Sequence, residues 1–146
     1  MTQRRAAHAF TLVEILIVVV ILGILTAIVI PQYANATTDT RQKATVDQLL
    51  KIRNAIDVYF IHSSNVYPTV VAGNGTWGEI AAVGNSHYLR ETPRNQWVGG
   101  PNASTIIIRA GADTAFTTGY GWIFDPTTGN VWAASFDAAD QPMPTP

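Results

Sequence analysis

Residues 10–31 read FTLVEILIVVVILGILTAIVIP, an apolar run whose only charged side chain is Glu14. From Phe10 to Ile30 the polar side chains are Thr11, Glu14 and Thr26. As a helix rising about 1.5 Å per residue, the run is about 30 Å long, the thickness of a hydrocarbon core. A charge inside such a span costs on the order of 2.5–3.5 kcal/mol on insertion scales, so a retained one needs a partner. The run is therefore read as a membrane helix whose carboxylate meets a positive group. The competing reading is that Glu14 only extends to the membrane interface.

The placement of charge gives the helix a direction. Arg4 and Arg5 precede the run, and no basic residue follows it until Arg41. By the positive-inside rule the short N-terminus stays cytoplasmic and the bulk of the chain lies across the membrane. A secretory signal has a shorter apolar core, about 7–15 residues, and a small-residue cleavage site directly after it, which this run lacks. Without the two leader arginines, seven basic side chains face ten acidic ones. Such a balance is a poor footprint for nucleic acid. There is no cysteine, so an exported head has no disulfide to hold it. His8, His62 and His87 have no zinc spacing, no serine lies in Gly-x-Ser-x-Gly, and no nucleotide-binding motif occurs. The chain is expected not to be an enzyme. The triplets at Asn35, Asn74 and Asn102 match the glycosylation pattern but are short enough to arise by chance.

Beyond the run, residues 32–63 read as an amphipathic stem helix. Val46, Leu49, Leu50, Ile52, Ile56, Tyr59 and Phe60 recur at three- and four-residue steps and form one apolar stripe. Asp39 with Lys43 and Asp47 with Lys51 are i,i+4 pairs in the favourable order, and Arg53 with Asp57 is one in the reverse order. Pro31 is expected to kink the helix where the apolar part meets the stem, the alternative being that it only marks the end of the span. Asn65 and Pro68 close the stem.

Residues 64–146 form the head. Thr76, with Glu79 three residues on, suggests a capping box opening a short helix whose Trp77, Ile80 and Val83 face inward. Residues 105–109 are a β-branched strand. Residues 120–125 and 130–135, joined by Pro126-Thr127-Thr128-Gly129, read as a hairpin on a four-residue connection. The expected fold class is α+β, a long N-terminal helix packed on a small antiparallel sheet, with a tail loose from Gln141. Trp77, Trp97, Trp122 and Trp132 are expected in the core rather than on a sugar-binding platform.

The N-terminus resembles the signal of type IV pilins and type II secretion pseudopilins. The matching residues are the basic leader at 1–9, the junction Ala9-Phe10, Thr11-Leu12-Val13-Glu14, and the apolar helix ending at Pro31. The resemblance implies cleavage by a prepilin peptidase between Ala9 and Phe10, N-methylation of Phe10, and Glu14 as the assembly carboxylate. Where the family usually has glycine before the cut, this chain has Ala9. Paired within hydrocarbon, Glu14 and a neighbour's N-terminal ammonium would check register, since an unmatched charge there is penalised heavily.

The same resemblance implies a structural subunit of a type II secretion pseudopilus, in a homopolymeric helical filament with other pseudopilins. Its partners would be prepilin peptidase, an inner-membrane assembly platform and, before assembly, membrane lipid. It would sit as a single-pass protein of the bacterial inner membrane, head periplasmic, and later in a periplasmic or surface filament. The alternative is a type IV pilus subunit or a minor pilin with a ligand or DNA-uptake role. No cofactor is expected except calcium, which major pseudopilins commonly hold in a C-terminal loop. The oxygen-rich candidates for it are Asp113, Asp125, Asp137 and Asp140.

Overall fold

A computed structural model describes residues 10–73, 75–81 and 88–144, with the backbone alone at 29–34. Expectations placed on Arg4, Arg5, His8, Ala9, Asn74, Val83 and His87 lie outside the described residues, and at Pro31 the backbone is helical. The first helix, α1, spans Leu12–His62, 51 residues. The chain divides into two compact units, residues 1–37 and 38–146.

In the first unit α1 is apolar on every face, and among the described residues every side chain from Phe10 to Ile28 is exposed. Val13, Ile15, Leu16, Ile17, Val18, Val19, Val20, Ile21, Leu22, Ile24, Leu25 and Ile28 are each between 51% and 60% exposed. That is the exposure of a bare helix surface, and it repeats at consecutive positions rather than at helical spacing. Among the described residues no helix is long and apolar enough to cross a membrane. The side chains at 29–34, which carry the rest of the apolar run, are outside that set.

In the second unit α1 has one buried face. Thr45, Leu49, Ile52, Ala55 and Ile56 are buried, at the three- and four-residue steps of a core-facing stripe. Leu50 departs from expectation: it is 50% exposed, as are Val58 and Ile61 at 44% and 72%. The Asp47–Lys51 pair forms at 2.7 Å. The expected Arg53–Asp57 pair does not, because Arg53 turns to the sheet and to Asp140. The helix stops as Ser64 and Asn65 enter the left-handed region, with Asn65 N–H reaching back to Phe60 O at 3.0 Å. That six-residue closure satisfies a carbonyl the helix would otherwise leave orphaned.

The head carries three short strands, β1 Ile106–Ile108, β2 Trp122–Phe124 and β3 Val131–Ala133, in the order β1-β2-β3. The α+β class holds, but the sheet is mixed rather than antiparallel. β2 and β3 form the expected hairpin, with Ile123 opposite Trp132, whereas β1 pairs parallel to β2, with Ile107 opposite Ile123. The physical reason is the connection over 109–121, long enough to carry the chain back to the start of the sheet before β2 begins. Leu49, Ile52 and Ile56 of the stem share one cluster with Trp77, Ile80, Ile106, Trp122, Phe124, Val131 and Phe136. Trp77 meets Trp122 and Phe124 edge-on at 6.4 and 6.2 Å, so these rings are core and not a ligand platform.

The short helix expected after Thr76 is a single 3₁₀ turn, Gly78–Ala81. Thr76 bridges Val71, and the Glu79 carboxylate accepts the Thr69 N–H at 2.8 Å. Gly78 sits at φ 55°, outside the right-handed helical region, and a Cβ there would collide with the Thr69 carbonyl, so no α-helix runs through it. The tail from Gln141 is held as far as Met143, and its end at 145–146, expected to be loose, lies outside the described residues. Phe136 bridges Pro142, and Met143 N–H donates to Ser135 O at 2.8 Å.

Candidate assembly site

The start of α1 is built by its own side chains. Thr11 is the N-cap and Glu14 the third helical residue. The Glu14 Oε2 accepts both the Thr11 N–H and the Thr11 hydroxyl at 2.8 Å, and Thr11 Oγ1 accepts the Glu14 N–H at 3.2 Å. This reciprocal capping box satisfies backbone donors that no helix can satisfy internally. Thr11-x-x-Glu14 has the same spacing as Thr76-x-x-Glu79, but the first opens an α-helix and the second a 3₁₀ turn. Further along, the Thr26 hydroxyl donates to Leu22 O at 2.7 Å. All three polar side chains between Phe10 and Ile28 are therefore bonded within their own helix, as hydrocarbon surroundings demand.

The box sets the geometry of the carboxylate. Oε2 is tied to Thr11, while among the described residues nothing donates to Oε1. The carboxylate of Glu14 is thus held against Thr11 at the helix start, next to Phe10 in the chain, whose side chain is 81% exposed.

The four candidate calcium ligands are not brought together. Among the described residues no group of three or more His, Cys, Asp or Glu side chains could hold a metal ion. Asp113 accepts from Arg109 at 2.8 Å, the Tyr120 hydroxyl at 2.6 Å and the Ser135 N–H at 2.9 Å. Burial, and then the bond to Asp113, pushes the Tyr120 phenol above its usual range. Asp125 is held by the hydroxyl and N–H of Thr127 and the hydroxyl of Thr128, which lower its carboxyl below the usual aspartate range. Asp137 accepts the N–H groups of Ala139 and Gln141, and Asp140 pairs with Arg53. Calcium requires six to eight oxygens converging on one point. These residues do not fit that requirement.

The residue that sequence patterns did not single out is Asn95. It is fully buried, and its Oδ1 accepts from the Trp97 and Val98 N–H groups at 2.9 and 3.1 Å and from the Thr45 hydroxyl at 3.3 Å. Its Nδ2 donates to Gly121 O and Ala134 O at 2.9 and 3.1 Å. One amide thus ties the stem to both ends of the hairpin. Asn35 lies exposed in α1, and Asn102 donates its amide to Thr118 O at 2.8 Å. His62 contacts the Tyr88 hydroxyl at 3.3 Å.

Comparison with known proteins agrees with this N-terminus. A family model described as the prokaryotic N-terminal methylation motif matches residues 4–30. The type II secretion system core protein G of Vibrio cholerae is 32% identical over 103 residues, 66% of this chain and 70% of that protein. That of Aeromonas hydrophila is 30% identical over 102 residues, 65% and 71% of the two chains. That of Pseudomonas aeruginosa is 38% identical over 71 residues, 49% of each. No solved structure matches. With a self-capped apolar helix at its N-terminus, an α+β head behind it and relatives that align over most of their length, this chain belongs to the family of type II secretion system core protein G, the major pseudopilins.

Proposed function

We propose that the chain works as a structural subunit of a type II secretion pseudopilus, anchored in the membrane and then assembled through the first half of α1. The observation that carries this reading is an apolar helix exposed on all its faces, with its one carboxylate fixed at the N-terminal end. A helix of this kind needs lipid or copies of itself around it. Cleavage between Ala9 and Phe10 frees an ammonium one turn from Glu14, and methylation of Phe10 leaves that charge in place. In a stack of subunits, the ammonium of one copy pairs with the Glu14 of another, and a subunit out of register leaves both unmatched. The chain's own chemistry is packing and charge pairing. Bond cleavage belongs to the peptidase, and work belongs to a separate energy source.

Intact-mass and N-terminal peptide analysis of the protein from native membranes tests the first step. The expected product begins at N-methyl-Phe10, and a mature chain still beginning at Met1 overturns processing at this site. Glu14→Ala tests the second: the variant is expected to be processed normally but to yield few filaments. Normal filament yield removes the assembly role of Glu14.

A further inference from the structure

We propose that two arginine–aspartate clamps, and not a bound calcium ion, close the C-terminal half of this head. Calcium in such a loop would neutralise carboxylates and draw loop carbonyls toward them. Arg53 does both with one guanidinium. Its two terminal nitrogens hold the Asp140 carboxylate at 2.6 and 3.0 Å, while its Nε and one terminal nitrogen donate to Val131 O at 3.1 and 2.8 Å. The stem, the start of β3 and the C-terminal turn meet at this one group. That turn is organised around Asp137, whose Oδ1 accepts the Ala139 and Gln141 N–H groups and whose own N–H donates to Gln141 O at 2.9 Å. Asp140 is thereby held at φ 58°, a conformation that aspartate tolerates and that its bidentate partner keeps in place.

The second clamp is built alike. Asp113 has 4% of its side chain exposed and faces Arg109 at 2.8 Å. Its other oxygen accepts the N–H of Ser135, itself at φ 63°, so the carboxylate anchors the bend that follows β3. A calcium ion added at Asp113 would stand against Arg109, and one at Asp140 against Arg53. Asp125 offers neither a shared position with them nor a free oxygen, its two being taken by Thr127 and Thr128. Like charge and used oxygens thus oppose the metal at Asp113, Asp125 and Asp140, and Asp137 spends Oδ1 on two backbone N–H groups of its own turn.

The test is thermal unfolding of the full chain in detergent micelles, followed by tryptophan fluorescence, with calcium and with chelator. Chymotryptic cleavage after Phe136 is measured in parallel. The native chain is expected to melt at the same temperature in both solutions. Asp140→Asn keeps the size of the side chain and its tolerance of the left-handed region but removes the charge. It is expected to lower the melting temperature by about 4–8 °C and to speed cleavage after Phe136. Arg53→Lys, which cannot span the carboxylate and Val131 O together, is expected to do the same. A melting temperature raised by calcium in the native chain overturns the proposal, and so does an Asp140→Asn chain that melts and is cleaved like the native one.

Discussion

Asn95 illustrates how much a single side chain can hold together. Replacing it by alanine leaves the Ala134 carbonyl and the Val98 N–H without the side chain that bonds them, while Gly121 O keeps the Ala134 N–H and the Trp97 N–H keeps Thr45 Oγ1. Each buried group so orphaned costs on the order of 1–3 kcal/mol, so Asn95→Ala is expected to cost about 3 kcal/mol or more, read as a lower urea midpoint. Thr45→Val removes the 3.3 Å bond to Asn95 and the 3.0 Å bond from the Trp97 N–H, which Asn95 still accepts, and is expected to cost less. Asp125 makes a prediction in pH. Its hydroxyl and N–H donors lower the carboxyl in the folded state, so the folded chain binds that proton less readily than the unfolded one. The stabilisation is therefore fully present above the ordinary aspartate value of about 3.9 and is lost as pH falls through the lower folded value. In acid titrations followed by fluorescence, Asp125→Ala is expected to be less stable at neutral pH and to lose less stability on acidification. Sequence could nominate Asp125 as a turn residue, but the burial and bonding of Asn95 depend on partners as far away as residue 45, with no local pattern to mark them.

Among the elements, the β2–β3 connection was legible because its chemistry is local. Asp125 N–H donates to Asn130 O at 3.0 Å, Gly129 N–H donates to Asp125 O at 2.8 Å, and Gly129 sits at φ 72°. Gly129 also lies against the Tyr67 ring, where a Cβ would collide, a contact that the turn pattern cannot reveal. Gly129→Ala is expected to cost more than Gly111→Ala. Gly111 has a similar φ of 81° but open space around it, so its substitution meets backbone strain alone, about 1 kcal/mol. Equal losses in denaturant unfolding would show that the Tyr67 contact yields without cost. The parallel pairing of β1 was not legible. A β-branched triplet marks Ile106–Ile108 as a strand but carries no sign of its direction, which the 109–121 connection decides. Thr11 and Glu14 show the same limit in reverse. Two identical Thr-x-x-Glu spacings occur, and only the first opens an α-helix, the second leading into a 3₁₀ turn.

At the scale of the whole molecule, the chain consists of a unit that cannot be comfortable in water alone and a unit with its own core. Removal of residues 1–37 takes away the half-exposed apolar side chains between Val13 and Ile28 and leaves the cluster of Leu49, Ile52, Trp77 and Trp122 untouched. The truncated chain is expected to sediment as a monomer without detergent, whereas the full chain requires detergent, lipid or its own copies. Sedimentation velocity of the two distinguishes these outcomes. What this sequence determined by itself is the apolar helix, its lone carboxylate, the amphipathic stem and the hairpin, because each depends on residues within a few positions of one another. Only the tertiary structure decided which partners the charged and polar groups take. Arg53 stands four residues from Asp57 yet bonds Asp140, 87 positions away, because the sheet packed on the stem brings a carbonyl and a carboxylate to it together. Helical spacing specifies neighbours along a helix, while the partner of a half-buried charge is set by what the folded chain brings beside it.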